Sequence, residues 1–240
     1  MNKPLRKVGP VPPVVIALDG PSGSGKSSTA RGVAARLGLA YLDTGAMYRA
    51  MTWAVLERGV DVEDAAAVAA AASDVDIVSG TDPQAPTIAA DGVDVSVEIR
   101  SQRVTDAVSQ VSRVPEVRQR LVTLQRETIA ASHGIVLEGR DIGTVVAPDA
   151  PLKIYLVADT AARAARRAAE QGQSEAAHVE ATAASLQRRD AIDSSRATSP
   201  LAKAADAVEL DTTHLTLDEV IDEVVRLAAK AVPDLGGSPS

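Results

Sequence analysis

The chain contains no cysteine, which excludes disulfides, thiolate metal sites and thiol catalysis. That absence fits a reducing compartment, and a cytoplasmic location is expected. Aromatic residues are nearly as scarce: Tyr41, Tyr48, Trp53 and Tyr155 are the whole set. Proteins that hold single-stranded nucleic acid stack bases on aromatic platforms, and so few rings do not make one. Positive charge is also in deficit, with 25 Lys and Arg against 32 Asp and Glu and a net charge of −7. The molecule as a whole does not attract polyanions, so no nucleic-acid polymer is expected as a partner. No apolar run approaches the ~18 residues of a membrane span, and no membrane association is expected. The basic opening "MNKPLRKVGPVPP" leads into no apolar stretch with a cleavage site. Residues 1–13 and 232–240 are expected to be flexible tails. His133, His178 and His214 stand in no metal-ligand spacing.

What is present is a chain of 240 residues, 45% hydrophobic, enough for one α/β domain with an insert. Apolar runs at 14–19, 39–42, 135–138, 152–157 and 207–210 alternate with helical patterns at 26–37, 45–58, 63–73, 102–111, 116–132, 161–171, 177–194 and 217–229. Unbroken apolar strands spaced by helices predict a parallel sheet covered on both faces. The segment 74–100 differs: "DVDIVSG", "APTIAADG" and "VDVSVEI" predict three short antiparallel strands. The core domain is expected over 14–231, with a β insert at about 61–112.

The first apolar run ends in "DGPSGSGKSS". Residues 20–27 fill the pattern GxxxxGK(S/T) between a predicted strand and a predicted helix. Glycines let successive backbone N–H groups turn inward and, with the helix N-terminus, cradle phosphate. ATP is the expected ligand of Gly20, Pro21, Ser22, Gly23, Ser24, Gly25, Lys26, Ser27 and Ser28. Lys26, expected at the loop surface, supplies a point charge for the β- and γ-phosphates, and Ser27 a hydroxyl for Mg²⁺. The loop alone does not separate a kinase from a GTPase switch or a mechanical ATPase. A guanine-reading (N/T)KxD motif is absent from "AVELDTTH" after the last strand, which disfavours the switch.

Arginines cluster near element ends, as forks for a second phosphate require. "LDTGAMYR" places Thr44 at an N-cap, with Tyr48 and Arg49 in the first turns. "LEGRDIGT" places Glu138, Arg140 and Asp141 at a strand end. Arg163, Arg166 and Arg167 fall at i, i+3, i+4 on one helix face, and Arg189, Asp193 and Arg196 at i, i+4, i+7 on another. Solvated faces and i, i+4 ion pairs, such as Arg163, Arg166 or Arg167 with Glu170, are the alternative reading of the helical sets.

With "YLDTGAMYRA", "SVEIRSQRVTDAVSQVSRVPEVRQRL", "LEGRDIGTVVAPDAPLKIYL" and "RRDAIDSSRATSPL" beside the loop, the chain resembles the bacterial cytidylate kinases over about residues 13–229. These kinases belong to the nucleoside monophosphate kinase group of P-loop proteins. The resemblance implies a three-layer α/β fold with a five-stranded parallel sheet, a small β insert and a helical lid at about 160–196. It implies ATP-dependent phosphorylation of CMP and dCMP, with Mg²⁺, by a monomer. Arg49, Arg140 and Arg196 would hold the acceptor phosphate. Thr44, Ser109, Arg118 and Asp141 would read cytosine, Arg189 and Asp193 would meet the ribose, and Tyr48 would lie beside the nucleotide. The catalytic groups would be Lys26, Arg140, Arg166 and Arg189, with arginines 163–167 closing over the transferred phosphoryl. Glu138 would touch Mg²⁺ through water. Thr44 stands where many relatives have serine, Glu138 where some have aspartate, and Ser27-Ser28 where some have Gly-Thr. Another small-molecule P-loop kinase, or a UMP kinase, is the alternative.

Overall fold

The computed structural model describes residues 14–233 except 171, 173–175 and 197–198. Of the segments expected as tails, 1–13 and 234–240 lie outside the described residues, while 232 and 233 are described. Five strands, β1 (Val14–Asp19), β2 (Ala40–Asp43), β6 (Gly134–Gly139), β7 (Leu152–Val157) and β8 (Val208–Asp211), form one sheet in the order β2-β6-β1-β7-β8. Every pairing is parallel, as the apolar runs require. The register sets Asp19 beside Gly139 and Asp43 beside Glu138, so the two glycine-flanked loops leave neighbouring strands at one edge. Ligands of open α/β sheets bind at this carboxyl edge.

Alternation along β1 divides the core. Ile16 and Leu18 pack with Val33, Val136, Val220 and Val224 beneath α1 (Lys26–Leu37) and α8 (Leu217–Ala231). Val15 and Ala17 face the other way, into a larger cluster with Met47 and Met51 of α2 (Thr44–Glu57) and Val117 and Leu121 of α5 (Pro115–Ala131). The segment between them carries α3 (Ala65–Ala72), the antiparallel strands β3 (Ile77–Ser79), β4 (Ile88–Ala90) and β5 (Val93–Asp94), and α4 (Gln102–Val111). Ile77, Ile88, Val95 and Ile99 join the same cluster as α2, so the small sheet shares the main core.

Two local expectations are corrected. "VDVSVEI" pairs only at β5; its second half winds into a 3-10 turn, Glu98–Arg100, which buries Ile99. Thr44 is not an N-cap. Asp43 caps α2, its side chain accepting from the Ala46 amide at 2.8 Å, and this frees the Thr44 hydroxyl to donate to the Glu138 carbonyl at 2.7 Å.

Candidate active site

Gly20 leaves β1 with φ 147°, and a Cβ there would meet the Leu156 carbonyl oxygen at 2.2 Å. Gly23, at φ 76°, lies under the backbone of α6 (Thr160–Glu170), where an added Cβ would approach the Arg163 carbonyl oxygen to 3.1 Å. The loop opens α1 at Lys26. That lysine is 6% exposed, contrary to the expectation of a surface position. As the first residue of α1 it turns its chain under the loop, and its ammonium donates to the Pro21 carbonyl at 2.7 Å. Burial and then the nearby Arg140 push its pKa down, against the pull of Glu138, Asp190 and Asp19. Glu138 is equally buried, and burial followed by Asp43 pushes its carboxyl up. Tyr41 donates to it at 3.1 Å. Ser27 and Ser28 are exposed, and a hydrogen bond from the Ser27 side chain works against the rise of the Glu138 carboxyl.

Thr44, Tyr48, Arg49, Ser109, Arg118, Arg140, Asp141, Arg189, Asp193 and Arg196 line one pocket beside this loop. The ten come from α2, α4, α5, the loop after β6, and the end of α7 (Ala176–Ser194) with the residues after it. Gly45, Val108, Ser112, Glu138 and Gly139 complete the wall. Arg118 is clamped on three sides. It donates to Asp141 at 2.5 Å and to the Ser112 carbonyl at 3.2 Å, and its guanidinium lies 5.1 Å from the Tyr48 ring centre. Asp193 accepts from Arg140 at 2.9 Å and from Arg196 at 2.5 Å. Burial alone would raise its pKa, but those two guanidiniums hold it below the usual carboxylate range.

The remaining two arginines form no ion pair among the described residues. Arg49 donates only to the Ile99 carbonyl and the Thr105 hydroxyl, at 2.9 and 3.1 Å, and Arg189 has its Nε buried without an acceptor. Burial and then the charge of Arg189 push Arg49 down to about 9; burial and then Arg140 push Arg189 down to about 10. Cations that depress one another across a pocket mark a place for a multivalent anion.

The three arginines of α6 divide. Arg163 is buried and binds the Ser22 carbonyl and Asp190. Arg166 was expected among the catalytic groups. It donates to the hydroxyl and carbonyl of Thr212 at 3.0 and 2.5 Å, and the Thr212 hydroxyl donates to the Ser24 carbonyl of the phosphate loop at 3.4 Å. Both tie α6 to its foundation, because α6 packs directly on the glycine-rich loop. Arg167 is the one of the three whose charge reaches both Arg49 and Arg189. The Glu170 side chain lies outside the described residues.

Three residues escaped the motifs. Asp190 accepts from the Ser22 amide at 2.9 Å, across 168 residues of sequence. Its only signal was its place in "RRDAIDSSR". Ser112 accepts from Arg196 at 2.9 Å. Asp19 accepts from the Ile142 and Gly143 amides at 2.9 and 2.7 Å, and burial, its main influence, pushes its pKa up to about 6.

No group of three or more His, Asp or Glu among the described residues could hold a metal alone. The exposed Ser27 beside the buried Glu138 suits an ion that brings most of its ligands as phosphates and waters, which is how Mg²⁺ binds in phosphoryl-transfer sites.

The family model "Cytidylate kinase" matches residues 16–230. A protein of Streptomyces avermitilis described as cytidylate kinase is 59% identical over 218 residues, covering 90% of this chain and 93% of its own. Another, of Streptomyces coelicolor, is 61% identical over 217 residues, with coverage of 90% and 93%. Among solved structures, a gluconokinase from Sinorhizobium meliloti is 15% identical with a TM-score of 0.49, covering 93% of this chain and 95% of its own, too distant to bear on function.

Proposed function

Because the chain belongs to the cytidylate kinase family, we propose that it transfers the γ-phosphoryl group of ATP to CMP and dCMP, giving ADP and the nucleoside diphosphate. The observation that carries the reading is Arg140. Its guanidinium donates to the Gly20 carbonyl at 3.0 Å and the Ser22 hydroxyl at 2.5 Å in the phosphate loop, and to Asp193 at 2.9 Å in the arginine pocket. A single side chain thus spans the donor and acceptor sites.

The backbone amides of the loop cradle the ATP phosphates, with Lys26 beneath them and Ser27 at the mouth. Arg49, Arg140 and Arg196 take the acceptor phosphate, which fills the space where the pocket cations repel one another. Arg189 and Asp193 meet the ribose. Thr44, Ser109, Arg118 and Asp141 face the base, with Tyr48 behind it. Asp141 accepts from the cytosine amine and opposes the carbonyl of uracil. An acceptor phosphate is already a nucleophile, so no side chain need act as a base. The chain's contribution is alignment, worth about 7–11 kcal/mol at best, and charge neutralisation by Lys26, Arg140 and Arg189. Ser27, and Glu138 through a water, would hold Mg²⁺, which when bound offsets charge on the ATP phosphates. The segment 61–112 is read as the nucleotide-binding insert and 160–196 as the lid. The chain is read as a monomer. No helix among the described residues is long and apolar enough to cross a membrane.

ADP release measured with CMP, dCMP, UMP, AMP and GMP tests the reading. CMP and dCMP should be the fastest acceptors; UMP turned over as well as CMP would move the assignment to the UMP kinase alternative.

A further inference from the structure

After Asp141 the chain makes a π-helical turn, Ile142–Val146, in which the Val146 amide reaches the Asp141 carbonyl at 3.2 Å and the Ala147 amide the Ile142 carbonyl at 2.8 Å. Helical turns begin with amides that have no partner within the turn. An aspartate at the preceding position ordinarily turns its own carboxylate back to accept from them. Asp141 holds that position and does not do so; its side chain makes no capping bond. The amides of Ile142 and Gly143 are taken instead by Asp19, one by each carboxylate oxygen, from the end of β1. Asp141 is thereby free to point away from its own turn. Its carboxylate lies in the pocket, 2.5 Å from Arg118.

We propose that Asp19 is a positioning residue for base selection: it caps the 142–146 turn from another strand, and so keeps the Asp141 carboxylate in the acceptor pocket. Asp19 is 4% exposed and is absent from the lining of that pocket, so it acts through Asp141 rather than on the nucleotide. The adjoining Gly20 carbonyl holds Arg140, so two consecutive residues anchor both members of the Arg140-Asp141 pair. The pattern is hard to replace. An asparagine at 19 keeps one acceptor and sets an amide donor against the second N–H. Asp141 then becomes the available cap for its own turn, and in turning back it leaves Arg118 and the base.

The inference rests on the reading of Asp141 as the base-selecting group, and the test separates the two. The ratio of kcat/KM for CMP to that for UMP is measured on wild type, Asp141→Asn and Asp19→Asn, well above pH 6 so that Asp19 is ionised, together with KM for ATP. Both variants should lower the ratio about tenfold or more, with KM for ATP within about twofold of wild type, since a charge-assisted hydrogen bond is lost in each. A merely structural role for Asp19 would lower stability and move both substrates together, leaving the ratio at its wild-type value. That outcome, beside a collapsed ratio in Asp141→Asn, overturns the positioning role. An unchanged ratio in Asp141→Asn brings down the base reading and this inference with it. Should Asp19→Asn not fold, Asp19→Ser keeps one acceptor, set back by one bond. An intermediate ratio supports the role, and a wild-type ratio overturns it.

Discussion

The phosphate loop and the arginine pocket proposed for the acceptor adjoin each other but are built in opposite ways. The loop is one contiguous stretch that would offer backbone amides to phosphate, shaped by glycines at φ 147°, 76° and 88°. The pocket gathers side chains that lie as far apart in sequence as Thr44 and Arg196, and it holds them with ion pairs already made: Arg118 with Asp141, and Arg140 and Arg196 with Asp193. A backbone cradle is indifferent to what the phosphate is attached to. A pocket of oriented charges can refuse a base that puts an acceptor where a donor belongs. Donor binding and acceptor choice should therefore be separable by mutation, except at the residues that join them.

Lys26→Ala carries the largest expected effect, because it removes a cation from the place where charge is transferred. Turnover should fall about 100-fold or more. Since Lys26 is buried, the melting temperature is followed alongside, and loss of activity in a protein that still unfolds cooperatively is the expected pairing. More than about a tenth of wild-type kcat would remove the lysine from its assigned place.

Arg196→Ala sharpens the contrast from the other side. It should raise KM for CMP by about 10- to 100-fold, the worth of a charge-assisted contact, and leave KM for ATP nearly unchanged. An equal loss for both substrates would show that the two regions are not separable at this residue. Ser112→Ala is the milder form of that experiment. It deletes the hydroxyl that accepts from Arg196 at 2.9 Å, and a rise of about 2- to 10-fold in KM for CMP should follow.

Thr216→Ala is the control outside both regions. Thr216 and Glu219 cap α8 reciprocally, the hydroxyl accepting from the Glu219 amide and the carboxylate from the Thr216 amide. Losing this cap should lower the melting temperature by about 2–4 °C and change neither KM. A shift in either constant would mean that the far face of the sheet is coupled to the site.

The same contrast decides what could be read from the sequence. The loop was legible because its chemistry is local: a strand, glycines, lysine and serine in fixed order. The sheet was legible because its strands are unbroken apolar runs. The side chains proposed for the acceptor could be collected only through the resemblance of whole motifs, since no spacing relates Ser109 to Arg189. What stayed hidden depends on distance between elements. Lys26, expected at the surface, is buried because its chain turns back onto the Pro21 carbonyl, where the charges of Arg140 and Glu138, far along the chain, reach it. Arg166 carries the same helical spacing as Arg163 and Arg167, but the carbonyl of Thr212 decides where it goes. The π-helical turn has no repeating sequence pattern, and its cap, Asp19, lies 123 residues before Ile142.

The central claim is that the pocket is shaped for cytosine before ATP arrives, because its carboxylates are already held in place. Calorimetric titration of CMP and of UMP into the ATP-free protein tests this most directly. CMP should bind about 10- to 100-fold more tightly than UMP, the difference made by one charge-assisted hydrogen bond to Asp141. Equal affinities would contradict the account and place base selection in a later, ATP-dependent step.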